Sequence, residues 1–173
     1  MRLDETQLQA FMDQEYPRQV AALTLIAGSR AAAEDIVQEA LARAWARSRK
    51  EEQIDSLAAW VTTVSLNLAK SSLRRLGAEA KARRELGHPA PGDDPSDLRV
   101  LEVRKAVRSL KRSQREAVVL HYYLGMSLAE VARCTGLAEG SVKTILYRAR
   151  RVLESELGET EVSNEAVLEG DVP

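Results

Sequence analysis

Lys143, Thr144, Tyr147, Arg148 and Arg151 recur at three- and four-residue spacing, so a helix through them carries all five on one face. Their chemistry is cationic and rich in donors. Guanidinium and ammonium groups pair with phosphates and with the acceptor edge of guanine, and the hydroxyls of Thr and Tyr reach bases or phosphates. A second cationic group, Lys70, Arg74, Arg75, Lys81, Arg83 and Arg84, is opposed only by Glu79. Alone, it reads equally as a solvated helix end and as a phosphate-binding surface. Covalent chemistry finds no comparable support. His88 and His121 have no Cys, Asp or Glu at ligand spacing, and Cys134 is the only cysteine. No intrachain disulfide or Cys-based zinc site can form, and neither a catalytic residue, a metal nor a cofactor is expected.

The elements that must position the first set are written around it. Val142, Ile145, Leu146, Ala149, Val152 and Leu153 form an apolar stripe opposite the cations, which predicts a helix from about Ala138 to Leu153. Just before it, Ser127 and Glu130 have the S-x-x-E spacing of a capping box, Leu128, Val131 and Ala132 supply one apolar face, and Gly136 stops the short helix. Cys134 reads as a small buried hydrophobe within it. Two short helices about a glycine turn, the second with a cationic face, spell a helix-turn-helix and point to duplex DNA.

Composition is that of an ordinary folded protein, with 45% hydrophobic, 29% charged and 4% aromatic residues, and its wealth of Ala, Leu, Glu and Arg predicts an all-α chain. No apolar run approaches the length of a membrane span and the N-terminus lacks a signal-peptide core, so a cytoplasmic location without membrane insertion is expected. The net charge of −1 hides a segregation. From Glu154 onward there are seven acidic residues and no Lys or Arg, whereas residues 1–153 hold 25 basic against 19 acidic side chains. The acidic end, 156–173, reads as a disordered solubilising tail; its alternative role is to compete with DNA for the basic faces.

Between Leu86 and Asp97 three prolines and two glycines fall in twelve residues, which predicts a flexible linker over 87–96 and two small helical domains, 1–86 and 97–155. The first should hold three helical stretches. One spans about Glu5 to Ala27, with Pro17 kinking it or opening its second half. The next carries Ile36, Val37, Ala40, Leu41, Ala44 and Trp45 on a wide apolar face. The third runs from an Asp55 cap to Leu76 and buries Leu57, Trp60, Val61, Val64 and Leu68. In the second domain, Leu98, Leu101, Val107 and Leu110 share a face opposite Arg104, Lys105, Arg108, Lys111, Arg112 and Arg115. Ser113 and Glu116 suggest another capping box, for a helix ending at Gly125.

On these residues the chain resembles an extracytoplasmic-function sigma factor, a small bacterial RNA polymerase initiation factor of the sigma-70 family. Ala33 to Trp45 is similar to that family's region 2 signature, and Gln114 to Arg151 to its region 4 helix-turn-helix. The resemblance implies that Asp35, Gln38, Glu39, Arg43 and Trp45 contact the clamp coiled coil of the largest subunit of core RNA polymerase, although Trp45 suits core packing too. It implies that Asn67 receives a flipped −10 base while Lys70, Arg74 and Arg75 hold phosphates; from residues alone Asn67 suits a solvated helix position almost as well. It implies that Lys143, Thr144, Tyr147, Arg148 and Arg151 face the −35 element of promoter DNA, and that an anti-sigma factor is a partner. Two departures stand out. Leu110-Lys111 replaces the family's usual Leu-Pro, and Ala138 stands where Ser or Thr usually caps the recognition helix, so Glu139, Gly140 or Ser141 is expected to cap instead. A self-sufficient helix-turn-helix regulator is the alternative reading.

Overall fold

The computed structural model describes residues 3–50, 54–83 and 98–158; the linker 87–96 and residues 159–173 lie outside them. Every regular element among the described residues is a helix. The chain opens with α1 (Glu5–Gln14), capped by Asp4, whose carboxylate accepts from Gln7 N at 2.8 Å while Gln7 Oε1 accepts from Asp4 N at 3.1 Å. Pro17 opens the second half of the first stretch: it sits in the first turn of α2 (Tyr16–Ala27), where its missing N–H costs nothing. Gly28, at φ +91°, closes α2, and Ser29 caps α3 (Arg30–Ser48). Ile36, Val37, Ala40, Leu41 and Ala44 are buried on α3, whereas Trp45 is 39% exposed.

The long helix α4 (Leu57–Arg83) departs from expectation in three respects. Its cap is Ser56, not Asp55, because Ser56 Oγ accepts from Ala59 N at 3.3 Å. Its buried face is Leu57, Val61, Thr62, Ser65, Leu66 and Ala69, with Trp60, Val64 and Leu68 only partly covered. The shift follows from packing on several sides, since α4 lies against α2 and α3 and also meets the next domain. It also runs through Gly77, because the Ala, Glu, Lys and Arg that follow are strong helix formers that tolerate one glycine at about 1 kcal/mol.

The second domain comprises α5 (Leu98–Ser109), α6 (Arg112–Val118), a π-helical turn (Val119–Tyr123), α7 (Leu128–Thr135) and α8 (Glu139–Leu157). On α5, Ala106 and Val107 are buried, as is Leu110 just beyond it, but Leu101 is 37% exposed and does not join them as its spacing suggested. The expected Ser113–Glu116 box does not form. Lys111 occupies the N-cap of α6, which places Gln114 at the third helical position; its Oε1 accepts from Lys111 N at 3.1 Å, and Glu116 turns inward. The π turn ends at Tyr123, two residues before Gly125 at φ +70°, and is tied down by His121 Nδ1 donating to Met126 O at 2.6 Å.

Candidate nucleic-acid interface

The helix-turn-helix forms as its sequence required. Ser127 Oγ accepts from Glu130 N at 3.3 Å and Glu130 Oε2 accepts from Ser127 N at 2.8 Å, which together fix the entry to α7. Ser127 Oγ also donates to Glu130 Oε2 at 2.7 Å. These bonds favour the ionised carboxylate and hold Glu130 below the ordinary glutamate range. Gly136, at φ +76°, ends α7 with its N–H on Ala132 O at 2.9 Å. Ala138 is the N-cap of α8 and offers no side-chain bond; Glu139 is already the first helical residue, so the expected substitute caps are not used.

Val142, Leu146 and Ala149 of α8 are buried, with Ile145, Val152 and Leu153 packed beside them against α5, α6 and α7. That burial sets the helix's rotation, and Lys143, Thr144, Tyr147, Arg148 and Arg151 are therefore all exposed together. Tyr147 is 61% exposed, and Arg151 Nη1 donates to its hydroxyl at 3.4 Å. Thr144 Oγ1 donates to Gly140 O at 3.0 Å, so it meets a ligand through its methyl group or as an acceptor. Such a face offers phosphate contacts at its edges and base-edge donors at its centre.

On α4, Asn67 is exposed and Lys70 is partly buried, its side chain 20% exposed. Arg74 and Arg75 lie in α4, but their side chains are outside what the structure describes. The two −10 candidates that are described thus share a helix but not an environment: Lys70 Nζ is 3.5 Å from Glu116 Oε2 of α6. Reading the sequence missed Glu116 in this position. Its spacing to Arg112 signals one partner, which Arg112 Nε confirms at 2.8 Å, but nothing local signals a lysine 46 positions away. Arg115, half-buried nearby, is lowered from its ordinary value by burial and then by Arg108, with Glu116 opposing.

Asp35, Gln38, Glu39, Arg43 and Trp45 are exposed along α3. Glu39 and Arg43 pair at 2.7 Å, Gln38 reaches the Tyr16 hydroxyl at 3.5 Å, and Trp45 borders a shallow depression with Leu3, Ser48 and Arg49. Ile36, Val37 and Leu41 form the opposite, buried side.

A helix-turn-helix with an open cationic face, joined to a second helical bundle, defines an all-helical DNA-binding protein of two domains. The family model described as sigma-70 region 2 matches residues 11–79, and that of sigma-70, region 4 matches residues 101–153. The ECF RNA polymerase sigma factor SigL of Mycobacterium tuberculosis is 33% identical over 147 residues, covering 80% of this chain and 81% of SigL. The ECF RNA polymerase sigma factor BldN of Streptomyces coelicolor is 35% identical over 134 residues, covering 73% of this chain but only 51% of BldN, so the chain spans about half that relative's length. Among solved structures, the sigma factor RpoE of Bartonella quintana, in complex with the anti-sigma factor NepR, superposes with a TM-score of 0.78 at 27% identity, over 91% of this chain and 100% of that one. The chain belongs to the extracytoplasmic-function RNA polymerase sigma factors. Among the described residues no helix is long and apolar enough to cross a membrane.

Proposed function

We propose that this chain is a transcription initiation factor that binds core RNA polymerase, directs it to promoters by recognising −35 and −10 elements, and assists melting at −10. The observation that carries this reading is the exposed set Lys143, Thr144, Tyr147, Arg148 and Arg151 on the second helix of a capped helix-turn-helix. Residues 97–155 then read the −35 duplex. Residues 1–86 bind polymerase through Asp35, Gln38, Glu39, Arg43 and Trp45, an exposed polar edge beside an aromatic that suits a helical partner. Asn67 takes a −10 base, with Lys70, Arg74 and Arg75 on the adjoining phosphates. The factor works in the cytoplasm, where its DNA lies, and makes or breaks no covalent bond itself. An anti-sigma factor is a partner on this reading, supported by the resemblance to RpoE, whose matching structure is a complex with NepR.

Run-off transcription from genomic fragments, with purified core polymerase and with or without this chain, tests the reading. Discrete new start sites that share two upstream boxes are expected. No new starts from demonstrably active core enzyme, with a footprint by the chain alone at one DNA site, would replace it with an ordinary helix-turn-helix regulator.

A further inference from the structure

Gly140 heads the cationic face of α8. It stands three, four, seven, eight and eleven residues before Lys143, Thr144, Tyr147, Arg148 and Arg151, so its α-carbon lies on the same side of the helix as theirs. It is exposed, and it is the second residue of the helix. In a helix-turn-helix the N-terminal residues of the second helix are the ones that meet the base edges. The position nearest the floor of the groove is therefore the one that carries no side chain.

Nothing inside the chain asks for glycine there. Gly28, Gly125, Gly136 and Gly158 take positive φ, whereas Gly140 does not. A methyl group on its α-carbon would meet no atom within 4 Å beyond its own turn of helix, so no neighbouring element uses the space either. The carbonyl of Gly140 accepts from Thr144 Oγ1 at 3.0 Å, a backbone acceptor that alanine would supply equally well. Yet glycine has more conformational freedom to lose on folding than alanine, and at a backbone geometry that alanine can adopt it lowers stability. The room at Gly140 thus costs stability and is used by nothing in the chain; it fits something that approaches from outside.

From this geometry, and resting on the −35 assignment of α8 made above, we infer that Gly140 sets the depth at which α8 enters the groove: the duplex comes into van der Waals contact with the helix backbone at Gly140, and any side chain there holds the helix out. A methyl group adds about 1.5 Å to the helix at that point. Such a displacement carries a donor and acceptor about 2.9 Å apart beyond hydrogen-bonding range. Every contact of the cationic face is weakened together, so the loss grows with the size of the side chain and falls on affinity and base discrimination alike. Removing one cation, by contrast, removes one contact.

The test compares the full chain with Gly140→Ala, Gly140→Leu and Arg148→Ala. The probe is the duplex that the wild-type chain enriches most from a randomised pool, and affinity is read by electrophoretic mobility shift at low salt beside a thermal melt of each protein. Gly140→Ala should melt about 1–4 °C above wild type and yet bind the probe roughly five- to hundredfold more weakly, with Gly140→Leu weaker still. Stability and binding that move in opposite directions are what a merely structural glycine would not give. A Gly140→Ala chain that melts below wild type would mean that the fold itself requires the glycine, and one that binds as wild type would mean that nothing approaches there. Either result overturns the depth-setting role, and if Arg148→Ala still weakens binding, the −35 assignment of α8 stands without it. If Arg148→Ala and both Gly140 variants bind as wild type, or if the wild-type chain enriches no duplex, the −35 assignment fails and the role of Gly140 falls with it.

Discussion

At the residue scale, the exposed cations of α8 differ from solvated surface charge in being held by a buried stripe directly beneath them. Arg148→Ala and Lys143→Ala should each reduce discrimination between the preferred −35 box and its single-base variants by about 1–3 kcal/mol if the contact is to a base edge. Loss of affinity that is equal across sequences, with a shallower salt slope, would place the residue on phosphate instead. Competition binding on a library of −35 duplexes at two salt concentrations separates the outcomes. Glu130 carries a pH signature. Its pKa is lowered in the folded state by the Ser127 bonds, so its stabilisation is complete above the unfolded glutamate value of about 4.3 and is lost as pH falls through the lower folded value. The melting temperature of wild type should exceed that of Glu130→Gln at neutral pH, and the gap should close in acid. A gap that is constant with pH would mean that ionisation of Glu130 contributes nothing.

At the element scale, the helix-turn-helix depends on two devices that act by different physics. Gly136 adopts a left-handed backbone with open space around its missing side chain, so Gly136→Ala meets no clash and tests conformational strain alone, expected at about 1 kcal/mol. Leu146, 5% exposed beneath the recognition face, tests packing: Leu146→Ala should cost about 2–5 kcal/mol. Thermal or urea unfolding of the full chain measures both. If Gly136→Ala proved the more damaging, the turn rather than the core would be what holds α8 in place. The cap of α6 shows how two similar local patterns compete. Ser113 and Glu116 have the right spacing, yet Gln114 caps and Glu116 goes inward, where it keeps Arg112 four residues before it on the same helix and gains Lys70 of α4, which a solvent-facing carboxylate would not meet.

At the scale of the whole molecule, charge is divided between a basic body and an acidic end, and within the basic body Lys70 is partly withdrawn from solvent against Glu116 of the other domain. Removing residues 159–173 leaves α8 whole and separates the two roles open to the acidic end. If the tail only solubilises, affinity for a −35 duplex at low salt should stay within about twofold. A larger gain that vanishes at high salt would assign it competition with DNA, since only screened electrostatics disappears in that way. Electrophoretic mobility shifts across a salt series read this directly.

Two helical domains, the helix-turn-helix with its capping box and glycine stop, and the cationic face of α8 were legible in the amino-acid sequence, because capping, apolar periodicity and turn chemistry act between residues three or four apart. The rotation of α4, the inward turn of Glu116 and the partial burial of Lys70 were not. Lys70 and Glu116 are 46 residues apart on either side of the linker, and Arg18 and Tyr123 are 105 apart; no local spacing encodes such pairings. The sequence could say that Lys70 is a cation on a helix, but which anion it meets is decided by how the two domains pack.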